Sequence, residues 1–332
     1  MRFAAFLLLI SLAGCDLSTT LDIETPPYEA GAVIRSVLMA DGVATVRLSV
    51  SRDPYVVDPA GEGLVARPSR TDGRVTLLRD GVEVETLTGS EQTCYQSSRS
   101  SCNVETGQVE TTTEGPFACG SYRGGVRLEA GATYTVRAEL PGLPSAEAAV
   151  SIPEAPEVSV EALPEAGGLR RFRIRLADPP GLGHRYGLTI LRELDQITVS
   201  QCRVGGAVDT LVVLDRARVY RSDFSSTDPV IVSGSREAGS SIHFVTFPDD
   251  AFDGRTRDFV IEATPRGTHP GDTGAIRVQV TAMTAELYDA YQITNFEVDE
   301  NPFAEPADLP VNVLGGYGRV GAVAVTEVRF GE

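Results

Sequence analysis

Apolar and polar residues alternate along most of this chain with a period of two, and no other feature narrows its possible folds as far. In "LRRFRIRLADPP", Phe172, Ile174 and Leu176 alternate with Arg171, Arg173 and Arg175. Successive side chains of a β-strand point to opposite faces, so this run has one dry face and one wet one, whereas a helix would scatter its apolar residues around the axis. The rhythm recurs in "AVIRSVLM", "ATVRLSVSRD", "RVTLLRDGVEVETL", "GVRLEAGATYTVRAEL", "RYGLTILREL", "TLVVLDRARVY", "PVIVSG", "SIHFVTF", "RDFVIEATP" and "AIRVQVTAM". Gly and Pro, 33 and 20 of 332 residues, punctuate these runs as turns. Asp80-Gly81 reads as a two-residue hairpin turn. One segment departs from the rhythm: "TAELYDAYQITNF" puts Leu287 and Tyr291 on one helical face, less regularly Tyr288, with Thr284 at the cap position. The expected fold is all-β with one short helix toward the C-terminus.

The strands group into two tandem β domains, 31–155 and 156–332, meeting near Pro153 and Pro156. In the first, Leu128, Gly131 and Tyr134 stand in the order L-x-x-G-x-x-Y, which resembles the tyrosine corner of immunoglobulin-like and fibronectin-like sandwiches. Residues 89–124, rich in Ser, Thr and Cys, read as a loop inserted in that sandwich.

The N-terminus supplies an address. Arg2 precedes the apolar run Phe3–Ile10, too short for a bilayer-spanning helix but suited to the core of a signal peptide, residues 1–14. The run ends in Leu12-Ala13-Gly14-Cys15, which resembles the lipobox of bacterial lipoproteins, in which Cys15 is acylated and becomes the mature N-terminus. Residues 15–30 then form a polar, Pro-bearing tether, and the membrane is the expected partner through acylated Cys15. Two or three acyl chains hold durably where one does not.

Composition excludes several functions. The net charge is −17, so nucleic acid and anionic lipid surfaces are poor partners. All 29 basic residues are arginine, which rules out lysine nucleophiles and Schiff bases. His184, His243 and His269 are scattered, with no H-E-x-x-H, and no G-x-S-x-G elbow occurs, so the chain is not expected to be an enzyme. Gly316, Gly318 and Gly321 do spell G-x-G-x-x-G, but β-branched alternation follows them where a dinucleotide site needs a helix. No cofactor is expected.

Candidate sites are few. After Cys15, four cysteines remain, Cys94, Cys102, Cys119 and Cys202, an even number suited to disulfides in an oxidising compartment. A local Cys94–Cys102 bridge is favoured, leaving Cys119 to reach Cys202; other connectivities and buried thiols stay open. In "FPDDAFDG", Asp249, Asp250 and Asp253 form a weak Ca²⁺ candidate, with a solvated turn as the alternative. Arg171, Arg173 and Arg175 share one strand face, where they either grip an anion or form internal salt links.

The segments "LDIETPP", "LADPPGLGHRYGLTI", "FPDDAFDG" and "LYDAYQ…NPFAEPADLPVNVLGGYGRVGAVAV" resemble, in order, the domain of unknown function 4249 lipoproteins of Bacteroidota, most specifically at Asn301-Pro302-Phe303. The resemblance implies a cell-envelope lipoprotein of the outer membrane. It also implies a non-catalytic accessory or ligand-binding role beside a TonB-dependent receptor; a structural or adhesive surface lipoprotein is the alternative. On the first reading the loop from Asn301, carrying Phe303 between prolines, is a contact surface; the alternative is that Phe303 folds back to plug the edge of the second domain's core.

Overall fold

The computed structural model describes residues 28–51, 69–103, 108–181, 183–202, 208–234, 242–263, 272–294 and 311–331. Strands form at all but one of the alternating runs. The first half carries β1 (Ala32–Met39), β2 (Val43–Val50), β3 (Arg74–Arg79), β4 (Val82–Thr86), β5 (Thr88–Asn103), β6 (Gln108–Arg127), β7 (Thr133–Glu139) and β8 (Ala146–Ser151). The second carries β9 (Glu157–Ala166), β10 (Leu169–Ala177), β11 (Arg185–Cys202), β12 (Val208–Ser222), β13 (Phe224–Ser226), β14 (Phe244–Pro248), β15 (Thr256–Ala263), β16 (Asp272–Met283) and β17 (Tyr317–Phe330). Two helices interrupt them, α1 (Pro229–Gly234) and α2 (Ala285–Thr294).

Nine strands build one large sheet in the order β12-β11-β16-β17-β1-β2-β6-β5, with β14 also on β11. Two four-stranded sheets, β4-β3-β7-β8 and β13-β15-β10-β9, complete the fold. The first small sheet buries Val75, Leu77, Tyr134 and Val136 against Ile34, Val46, Leu48 and Val320 of the large one. The second buries Phe172, Ile174, Phe259 and Ile261 against Leu188, Ile190, Ile276 and Val278. The core-facing residues of β16 and β17 pair across one ladder, Ile276 with Phe330 and Ala282 with Ala324. Both small sheets therefore pack on the same face of the large sheet, and its opposite face is the outer one.

The two cores correspond to the two expected domains, but the sheet corrects the picture of a simple tandem. The C-terminal β17 runs parallel to β1 from Val33↔Tyr317 to Met39↔Val323, then antiparallel to β16 from Met283↔Val323 to Ile276↔Phe330. One strand thus belongs to both halves: Val320 and Ala322 lie in the first core, while Phe330 packs on the second. A boundary at 155/156 divides neither the hydrogen-bonded framework nor the cores, since Val313, Val320 and Ala322 lie in the first.

Local details follow the chemistry of single residues. Asp80 and Gly81 have φ of 49° and 82°, the left-handed pair that a two-residue hairpin requires. The Tyr134 hydroxyl accepts the N–H of Glu129 at 3.1 Å and is 1% exposed, the bond of a tyrosine corner. "PVIVSG", expected as a strand, is instead helix α1: Asp228 accepts the N–H of Val230 at 2.9 Å as N-cap, and Pro229 fits the first helical position. Helix α2 stands where the sequence places it. Thr284 does not spend its hydroxyl as the cap foreseen, however; Oγ1 accepts the N–H of Ala322 at 3.3 Å, tying the helix start to β17.

Residues 89–124, expected as an inserted loop, fall in the long hairpin β5–β6 at one edge of the large sheet. Cys94 and Cys102 lie on the same continuous strand, eight residues apart, or about 26 Å at ~3.3 Å per residue. A disulfide needs Cα atoms within about 7 Å. The local Cys94–Cys102 bridge is therefore excluded.

Candidate functional site

Two of the segments quoted above, "LADPPGLGHRYGLTI" and "FPDDAFDG", fold against each other. The first runs from the end of β10 through a Gly- and Pro-rich loop into β11; the second leaves β14 and turns toward β15. Their meeting point holds two carboxylates, Asp178 and Asp249, 6% and 0% exposed. Burying a carboxylate is costly unless donors replace its water, and here each oxygen has one. Asp249 accepts the N–H of Gly183 and of His184, at 3.2 and 3.1 Å, and Arg185 Nη1 lies 3.6 Å from Oδ1. Asp178 accepts the hydroxyl of Tyr186 at 2.6 Å and the N–H of Gly254 at 2.8 Å. Burial, reinforced by the hydrogen bond to Asp178, pushes the Tyr186 phenol well above its usual range, so Tyr186 stays a donor.

His184 joins the pair: Nδ1 is 3.3 Å from Asp249 Oδ2 and 3.6 Å from Asp178 Oδ1. Asp178, His184 and Asp249 offer ligand atoms within 4.8 Å of one another, the cluster among the described residues that most resembles a metal site. The donors already present argue for a different use. Backbone N–H groups and a guanidinium aimed at the carboxylates would oppose a cation, and they bind the two loops as a lock over the aromatic cluster of Tyr186, Phe247, Phe252 and Phe259.

The Ca²⁺ candidate of Asp249, Asp250 and Asp253 is not assembled. Asp249 turns inward, Asp250 is exposed, and Asp253 accepts the N–H of Gly181 at 2.8 Å. Asp249 and Asp253 are held by backbone N–H groups of the preceding loop while Asp250 faces solvent, so the three do not converge. The arginines of β10 form internal salt links: Arg171 with Glu262 at 3.3 Å, Arg173 with Glu161 at 2.7 Å and Arg175 with Asp258 at 2.9 Å. Cys119 is buried in β6, its sulfur 3.4 Å from the Gln92 carbonyl oxygen; Cys202 ends β11. Cys15, Asn301, Pro302, Phe303 and His269 lie outside the described residues.

The glycine motif is a turn feeding a strand. Gly318 and Gly321 lie in β17, and no helix opens after them. A Cβ at Gly321 would sit 2.8 Å from Leu287 Cβ, so this glycine makes room for α2 on the sheet. Sequence reasoning missed Asp178 and Tyr186. The available signal was an acidic residue between an apolar strand and two prolines, with its phenolic donor just beyond the turn.

These features define a class: a two-core β protein whose halves share one sheet through the last strand and whose second core is closed by a buried carboxylate lock. The chain matches, over residues 18–329, the model of a domain of unknown function, DUF4249, and belongs to that family. None of the curated proteins matches it.

Proposed function

We propose that the protein is a lipid-anchored lipoprotein of the outer membrane that acts without catalysis, as an accessory or ligand-binding partner of a TonB-dependent receptor. The observation that carries the anchor is the apolar run ending on Leu12-Ala13-Gly14-Cys15. Among the described residues, no helix is long and apolar enough to cross a membrane, so the acylated Cys15 would carry the attachment. Support for a receptor partner comes from the family likeness of the segments around Asn301-Pro302-Phe303. Prolines on both sides of Phe303 limit the entropy lost on docking, which suits an aromatic anchor at an interface.

Crosslinking of the tagged protein in intact cells tests the partner. The expected result is capture of a large β-barrel receptor, with Phe303→Ala weakening capture at an unchanged melting temperature. Capture of no outer-membrane protein would favour the structural or adhesive role. In an oxidising envelope the cysteines form at least one bridge on this reading, with Cys119 to Cys202 the pairing to look for.

A further inference from the structure

The outer face of the large sheet is covered by α2 on one side, where Leu287 packs on Met283 and Val323. The strands beside it present arginines. Arg35 of β1 is in register with Arg319 of β17 on one side and Arg47 of β2 on the other. All three belong to the outer face, because Ile34, Val46, Leu48 and Val320 next to them are in the core. One strand further on, Arg123 and Arg127 of β6 stand opposite Thr45 and Val43. Neighbouring strands are about 4.8 Å apart, so the three aligned guanidiniums span about 10 Å.

In a chain of net charge −17, these cations would be expected to find carboxylates. Arg171, Arg173 and Arg175 of β10 do, each with its own acid, and Arg277 and Arg329, on the large sheet, share Glu193. Among the described residues, none of Arg35, Arg47, Arg123, Arg127 and Arg319 makes an ion pair or a side-chain hydrogen bond. Arg319 is half-buried, the other four exposed. Burial, and then the charge of Arg35, draw the pKa of Arg319 below the usual guanidinium value, as for like charges held together without a counter-ion.

We propose that this arginine row is a binding site for phosphate-bearing anions carrying two or more negative charges. Guanidinium forks match phosphate oxygens bidentately, and adjacent forks at strand spacing can share one phosphate or grip two. A single carboxylate would leave most of the row's charge uncompensated. An acidic macromolecule would meet repulsion from the rest of the surface, whereas a compact anion fits within the screening length of about 8 Å. The site rests on the sheet geometry and not on the lipid anchor. The same chemistry arrives as free phosphate or as a lipid headgroup; Val37 and Met39, exposed on the same face of β1, would meet apolar lipid only in the second case.

The test uses the full chain with Cys15→Ala, so that an acyl chain cannot itself bind vesicles. Calorimetric titration with inorganic pyrophosphate at low ionic strength is run beside sedimentation with phosphatidylcholine vesicles, with and without phosphatidic acid. Saturable pyrophosphate binding identifies a soluble source; binding to phosphatidic acid vesicles alone identifies a headgroup. Either supports the site, provided that Arg35→Gln with Arg47→Gln lowers binding at least tenfold while Arg173→Gln, which disturbs a paired arginine, leaves it unchanged. If the double variant melts early, Arg35→Lys serves instead: it keeps the charge, loses the fork and is expected to weaken binding severalfold. No binding in either arm, equal loss with Arg173→Gln, or binding of polyglutamate alone would overturn the assignment.

Discussion

Asp249 has two neighbours of its own kind in "FPDDAFDG", yet only one carboxylate of that run enters the core. Replacing it by Ala would strand the N–H groups of Gly183 and His184 and leave Arg185 facing a void. Breaking such a buried arrangement costs about 3 kcal/mol, whereas Asp250→Ala at an exposed position should stay within about 0.5 kcal/mol. Equilibrium denaturation of the two variants is expected to separate them, and equal stabilities would remove the lock from the account. Tyr134→Phe, losing the bond from Glu129, should cost about 1 kcal/mol. The two residues differ in how legible they were. Tyr134 and its partner lie within one short motif, so spacing alone announced the corner. Asp249 is satisfied by residues of another loop distant in sequence, and no local pattern tells a buried Asp from the solvated one beside it.

At the scale of elements, β11, β16 and β17 are clamped through Glu193, which accepts from Arg277 and Arg329. The hydrogen bond from Arg329, opposed by burial and joined by the bond from Arg277, holds this carboxyl below its ordinary value. A carboxylate whose pKa is depressed on folding adds stability above its unfolded pKa and loses it as pH falls through the folded one. The melting-temperature gap between wild type and Glu193→Gln is therefore expected to be full near pH 6 and to shrink below about pH 4; a gap that widens in acid would contradict this. Strands with one dry face were readable from their alternation. The β5–β6 hairpin was not, because "YQSSRSS" is polar at every position and looks like a loop, although it pairs with residues 110–116 of β6. "PVIVSG" misled in the other direction: its β-branched residues favour a strand, but the Asp228 cap and Pro229 decide for a helix.

Across the whole molecule, β17 is the element on which both cores depend. The parallel pairing of β1 with β17 joins chain segments nearly 300 residues apart, and the two-domain reading from composition had no means of seeing it. A sheet shared in this way predicts that the cores unfold together. Calorimetry of the described fold should give one cooperative transition, and Gly321→Val, which drives a side chain into Leu287, should lower it as a whole; two separable transitions would favour independent domains. The charge distribution has the same scale: a net charge of −17 beside a row of arginines that, among the described residues, have no acid partner, with the attachment proposed at the N-terminus.

That attachment is the claim from which the proposed role follows, and membrane fractionation after a high-salt wash tests it most directly. Wild-type protein is expected in the membrane pellet, and the Cys15→Ala variant, folded to the same melting temperature, in the soluble fraction. A Cys15→Ala variant that still sediments with the membranes would contradict the account.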